Sequence, residues 1–190
     1  MKKILIGTHN SGKFKEISFL LSKKIKKISP KSLKIKSPKE TGKSFIANSK
    51  LKARYFSNFS NLPVISDDSG LCIKSLNDKP GIYSARWAKR YGSFFKAMKV
   101  ILKKMKNEKN RSATFVCCLT FISKKKIITT TGKIKGSISH EIKGKKGFGY
   151  DPIFIPLSKS LTFGEMIKSD KMKMDHRYIA FKQLKKRIKI

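Results

Sequence analysis

An α/β chain with a mixed sheet is predicted by two features of the sequence. Short apolar runs alternate with segments of helical spacing over the first hundred residues, and β-branched and aromatic runs separated by Ser, Lys and Gly follow from 113 to 134. Ile4 to Gly7 is the first strand. It ends in the polar segment Thr8-His9-Asn10-Ser11-Gly12, after which Phe14, Ile17, Leu20 and Leu21 keep the spacing of one helix face. Alternation from Ile28 to Ile35 predicts a second strand, and Ser44 to Phe56 predicts the next helix. Leu62 to Ser66 is a buried-strand candidate that delivers Asp67-Asp68-Ser69-Gly70, with Leu71 to Ile73 continuing the sheet. Ser93 to Met105 is an amphipathic helix, the three glycines between Gly144 and Tyr150 make that stretch a loop, and helical spacing returns at Phe163 to Met166 and from Arg177 to Ile188.

The length of 190 residues predicts one domain over 1–190, long enough to bury a core without disulfides. A hydrophobic share of 39% with 13 Phe excludes a disordered chain despite the charge. That charge is +35, a balance that favours phosphate-rich partners. Only six of the 46 basic residues are Arg, however, and the lysines are scattered instead of forming one stripe. A solvated lysine surface accounts for this, and no specific nucleic-acid partner is expected. The three cysteines lack metal-ligand spacing and read as reduced thiols. The N-terminal apolar run is too short for a signal segment or a membrane span, so the expectation is a cytoplasmic protein without a membrane partner.

Four constellations could carry chemistry. Thr8 to Lys13 joins a strand to a helix, where backbone N–H groups, the helix dipole and a lysine favour phosphate. An ordinary N-capped turn explains it equally well. Asp67-Asp68 places two adjacent carboxylates after an apolar strand in a chain with only 11 acidic residues, a costly arrangement without a cation. Glu40, two residues before Gly42, could complete a divalent-metal site, and a turn capped by one Asp is the alternative. Gly147-Phe148-Gly149-Tyr150-Asp151-Pro152 combines backbone freedom with aromatic faces and a carboxylate that suit a base, or else forms a turn whose aromatics join the core. Lys171 and His176-Arg177 are cationic donors or a surface cluster.

Taken in order, these segments closely resemble the inosine triphosphate pyrophosphatase family, also called XTP/dITP diphosphatases, over nearly the whole chain. The family's T-x-N-x-x-K-x-x-E stands at Thr8 to Glu16, and its E-T-G at Glu40 to Gly42. F-x-x-N-A-x-x-K-A stands at Phe45 to Ala53, with Ser49 in place of alanine. D-D-S-G-L is intact at Asp67 to Leu71, P-G-I-Y-S-A-R at Pro80 to Arg86, and G-F-G-Y-D-P-I-F at Gly147 to Phe154. The late pattern appears at Glu165-Met166, Lys171 and His176-Arg177, with Asp175 where serine is usual.

The resemblance implies a long central mixed sheet flanked by helices, two lobes around a deep cleft, and a homodimer. It also implies Mg²⁺-dependent hydrolysis of XTP, ITP and dITP to the nucleoside monophosphate and pyrophosphate. In that reading Glu40 and Asp68 hold the metal and Asp68 is the general base. Thr8, His9, Asn10, Ser11, Gly12, Lys13 and Ser69 bind substrate phosphates, with Lys52 and Asp67 as accessories. Phe148, Gly149, Tyr150, Asp151, Lys171, His176 and Arg177 read the base. The rivals are a nucleic-acid-binding module, suggested by the charge, and a pyrophosphatase for dUTP, dTTP or modified pyrimidines like the septum-formation inhibitors.

Overall fold

Ile4, Leu5 and Ile6 leave the first strand no solvent face, and all three are buried. The computed structural model describes residues 2–124 and 126–188. In chain order the elements are β1 (Lys3–Ile6), α1 (Ser11–Leu20), β2 (Lys26–Ile28), α2 (Phe45–Ser60), β3 (Val64–Ile73), β4 (Lys79–Pro80), α3 (Ser84–Arg90) and α4 (Phe94–Lys104). Then follow β5 (Ser112–Ser123), β6 (Lys126–Ile138), β7 (Phe154–Pro156), α5 (Lys168–Lys171) and α6 (His176–Lys185). The strands form one seven-stranded mixed sheet in the order β2-β1-β3-β5-β6-β7, with β4 paired to β3. β1 lies parallel to β2 and β3, each reached through a helix-containing crossover, whereas β3–β4 and β6–β7 are antiparallel. The α/β fold with helices flanking a mixed sheet is therefore as the sequence predicts.

The chain forms two compact units. The first comprises Met1–Asp68, Cys117–Gly132 and His176–Ile190, and the second Ser69–Val116 and Lys133–Asp175; β3, β5 and β6 run from one into the other. The first unit packs Ile4, Ile6, Ile17, Ile65, Leu119 and Phe181 into one cluster, with a smaller one around Leu5, Ala53 and Phe56. The second unit buries Leu71, Ile101, Phe115, Ile153, Phe154 and Phe163. Helix α6 presses on β6 at Gly132, where a Cβ would lie 2.0 Å from the His176 carbonyl oxygen and 2.4 Å from the Ala180 nitrogen. Only glycine allows that approach, which sets the start of α6 against the sheet.

Two local expectations change. The second strand is Lys26–Ile28 only, because Pro30 (φ −59°, ψ −31°) turns the chain into a short 3-10 segment at Lys31–Leu33. Phe163 to Met166 is a turn: the Glu165 carboxylate accepts from the Thr162 N–H and hydroxyl, and the Phe163 N–H donates to the Phe154 carbonyl. Asp67 to Gly70 does not interrupt the sheet, since β3 runs unbroken from Val64 to Ile73, against the alternative of a capped turn. Among the described residues no helix is long and apolar enough to cross a membrane.

Candidate functional site

A strand sends successive side chains to opposite faces, so β3 separates its two carboxylates. Asp67, fully buried, meets Nζ of Lys13 at 3.2 Å and Nη2 of Arg177 at 3.1 Å. Arg177 also donates through Nη1 to Glu16, which lies one α1 turn beyond Lys13. Burial opposes the charge on Asp67, but Lys13, Arg177 and Lys52 together outweigh it and hold the carboxyl well below the usual carboxylate range.

Asp68 faces α2, where Asn48 and Lys52 stand one turn apart. Its Oδ1 lies 3.5 Å from Nζ of Lys52, and its Oδ2 accepts from Nδ2 of Asn48 at 3.2 Å. The same Lys52 ammonium donates to Oε1 of Glu40 at 2.5 Å. Asn48 is tied at its other end, where Oδ1 accepts the Gly42 N–H at 2.8 Å. Gly42 has no room for a side chain, because a Cβ would sit 2.6 Å from that oxygen. Burial pushes the Asp68 carboxyl up, with Glu40 and Asp67 adding to it and Lys52 and Lys13 opposing. For Lys52, burial works against the charge, yet Asp68, Asp67 and Glu40 prevail and raise its pKa.

The segment from Thr8 to Lys13 starts α1, and Asn10 is its N-cap, accepting the Lys13 N–H at 3.0 Å. Thr8 Oγ1 accepts the Asn10 N–H at 3.2 Å, and His9, exposed, donates from Nε2 to the Ile35 carbonyl at 3.0 Å. The N–H groups of Ser11 and Gly12 belong to the first turn, which has no intrahelical acceptors for them. The helix N-terminus and the Lys13 ammonium thus favour an anion beside the Asp67 ion pairs. The sequence could not choose between capping and phosphate binding at this loop; Asn10 caps the helix, and the first-turn donors remain.

In the second unit, Asp151 is buried and accepts both the Lys171 ammonium at 2.7 Å and the Phe148 N–H at 2.8 Å. The Lys171 Nζ lies 5.1 Å from the centre of the Phe148 ring. Gly147 and Gly149 adopt φ of 74° and 69°, the left-handed region that lets this short loop close. Tyr150 belongs to the core: it is 2% exposed, packs edge-on to Phe94 at 5.2 Å, and donates its hydroxyl to the Ser84 carbonyl at 3.1 Å. Ser84 also accepts the Leu71 N–H and donates to the Gly81 carbonyl, so the Pro80 to Arg86 motif secures the end of β3 and the loop together. Of the two readings left open for this loop, Tyr150 follows the one in which an aromatic joins the core, while Phe148 is half-buried.

Lys13, Glu40, Lys52, Asp67, Asp68, His176 and Arg177 all fall in the first unit, and Ser69, Phe148, Gly149, Tyr150, Asp151 and Lys171 in the second. Lys171 and His176-Arg177, grouped by sequence proximity, so belong to different units. Arg177, read as a surface or base-contacting cation, is 1% exposed and bonded to two carboxylates. Glu16 and Asn48 were quoted in motifs without a role. Their spacing from Lys13 (i, i+3) and Lys52 (i, i+4) was the signal that each shares a helix face with a charged residue.

A mixed α/β sheet with an acidic pair on one strand, a lysine clasped by two carboxylates and a cationic helix N-terminus defines a protein built to handle a charged phosphate compound. The Ham1 family model matches residues 4–187, and the chain belongs to that family. It is 42% identical over 189 residues to the dITP/XTP pyrophosphatase of Dictyoglomus thermophilum, covering 96% of this chain and 92% of that protein. It is 39% identical to the dITP/XTP pyrophosphatase of Haemophilus influenzae, covering 98% and 99%. Among solved structures, a HAM1 protein from Coxiella burnetii aligns with a TM-score of 0.88 at 33% identity over 98% of both chains. The Staphylococcus aureus Ham1 protein aligns at 0.86 with 32% identity over 97% of each.

Proposed function

We propose that this protein hydrolyses dITP, XTP and ITP to the monophosphate and pyrophosphate. The observation that carries the reading is the convergence of Glu40 and Asp68 on one cation, Lys52, with Lys13 at the helix start on the other side of β3. Relatives of near-equal length named dITP/XTP pyrophosphatase support the substrate class.

Among the described residues no three His, Cys, Asp or Glu side chains gather as a metal-binding group. Two carboxylates completed by phosphate oxygens and water are nevertheless an ordinary Mg²⁺ environment, so the residues fit the ion. Glu40 and Asp68 would hold it, and the ion would supply a lowered pKa for a water and an offset for phosphate charge. Asp68, whose carboxyl burial has pushed up, takes the proton of the attacking water. Lys13, Lys52 and the N–H groups of Ser11 and Gly12 bind phosphate oxygens, with Thr8, His9 and Asn10 shaping their loop; Ser69, the residue after Asp68 on β3, is a further substrate contact. Base recognition falls to Phe148, Gly149 and Lys171 with Asp151, whose loop Tyr150 supports from the core, and to His176; Arg177, enclosed by Glu16 and Asp67, holds those acids in place instead of meeting the base. Water attacks the α-phosphorus and pyrophosphate leaves, with no covalent enzyme intermediate.

A homodimer in the cytoplasm without a nucleic-acid or membrane partner completes the reading, and sedimentation analysis tests the dimer. The decisive experiment is pyrophosphate release from dITP, XTP, ITP, dATP, GTP and dUTP with and without Mg²⁺. Preference for the first three with Mg²⁺ is the expected result, and turnover of dUTP alone would replace this reading with the pyrimidine one.

A further inference from the structure

Both carboxylate oxygens of Asp68 are engaged, Oδ1 by Lys52 at 3.5 Å and Oδ2 by Asn48 at 3.2 Å. Each oxygen keeps a second lone pair, but the Lys52 ammonium sets a positive charge beside Asp68 and Glu40 that a divalent cation has to displace. The two partners are not equally free to leave. Asn48 is fully buried and anchored at its far end by the Gly42 N–H, so displacing it breaks two hydrogen bonds inside the unit. Lys52 carries its ammonium on a flexible four-carbon stem, and its nearer partner, Glu40, is 28% exposed. That ammonium also stands where the two proposed metal ligands converge.

We infer that Lys52 is an internal counter-ion, occupying the divalent-cation position of the free enzyme and swinging onto the phosphates when the nucleotide arrives with its metal. The inference deepens the pyrophosphatase reading and rests on it. Lys52 balances one buried and one half-buried carboxylate in the free protein, which would otherwise repel each other. In the complex the same ammonium turns to a triphosphate that carries several negative charges, and the carboxylates receive the divalent ion. Divalent ion and nucleotide then bind with positive coupling, because each favours the displaced lysine, and the coupling is reciprocal.

Mn²⁺ alone is the probe, titrated into the full chain without nucleotide and followed by electron paramagnetic resonance. Lys52→Met and the polar, neutral Lys52→Gln should each bind Mn²⁺ about tenfold more tightly than wild type, since a competing positive charge is gone. Equal or weaker binding by the folded variants overturns the inference. A second measurement uses only the wild type: Mn²⁺ should increase acetylation of Lys52 by an amine-reactive reagent, read by peptide mass spectrometry, and unchanged labelling also overturns it. Hydrolysis of dITP with Mg²⁺ is assayed on the same wild-type preparation. Normal hydrolysis with no Mn²⁺ effect on Lys52 sinks the counter-ion role alone, whereas absent hydrolysis sinks the parent reading.

Discussion

Asp67 and Asp68 are neighbours in sequence with opposite electrostatic settings, because β3 turns them to different faces. Asp68, raised by burial, suits a base that must take a proton, and Asp67, lowered by Lys13 and Arg177, suits a permanent anion that holds cations in place. Asp68→Asn should lower turnover by about 10²–10⁴-fold while calorimetry still detects bound dITP. A base works deprotonated, so wild-type kcat should fall towards acid pH along a limb that the residual rate of the variant lacks. Asp67 leads to a stability prediction of the opposite kind. Its folded-state pKa lies below the unfolded one, so its stabilisation is fully present above about pH 4 and lost as pH falls through the folded value. The gap in urea-unfolding free energy between wild type and Asp67→Asn should therefore be constant near neutrality and shrink in strong acid. The two carboxylates were legible because acids are scarce in this chain. Lys13, Lys52 and Arg177 were legible as site cations, but their pairing with these acids was not: Arg177 lies 110 positions from Asp67, and no local pattern marks such a pairing.

At the scale of elements, the sequence betrays whatever is periodic and hides whatever tertiary hydrogen bonds decide. β1, α1, α2, α4, β5, β6 and α6 follow from apolar spacing, and α1 and α2 open on the side-chain caps Asn10 and Ser44. The short β2 fell to Pro30, and the helical spacing of Phe163 to Met166 was overridden by the Glu165 and Phe154 hydrogen bonds. Helix α3 escaped notice because its seven residues span fewer than two turns, too few to display a period. The loop that precedes β7 rests on a pair that sequence spacing also conceals, Asp151 with Lys171, whose side chains are 3% and 4% exposed. Truncating one member of such a pair strands the other charge in the interior. Asp151→Ala should therefore cost about 3–5 kcal/mol in urea unfolding, and adding Lys171→Met should recover part of that loss. A cost below about 1 kcal/mol for the single variant would mean that the ammonium reaches solvent instead.

For the molecule as a whole, the unequal charge is sorted by depth. Of the 11 acidic residues only Asp78, Glu108, Glu141 and Asp170 are exposed, while Glu16, Asp67, Asp68, Asp151 and Asp175 are buried. The surface therefore carries nearly the full excess of lysine with few carboxylates to offset it. Scattered as they are, these lysines build no stripe for a particular duplex or strand, but their summed field still attracts small polyanions. A nucleoside triphosphate approaching such a surface meets attraction at long range, and added salt confines that attraction to about 10 Å at 0.1 M and about 3 Å at 1 M. Steering acts on encounter and not on the bond-breaking step. Raising KCl from low millimolar to about 0.5 M should thus lower kcat/KM for dITP by about tenfold or more while kcat changes little. Uncharged osmolyte at matched viscosity serves as the control, since it slows diffusion without screening charge. If kcat/KM stayed flat across the salt series, the lysines would contribute solubility alone, and capture of the nucleotide would rest on the short-range cations Lys13 and Lys52.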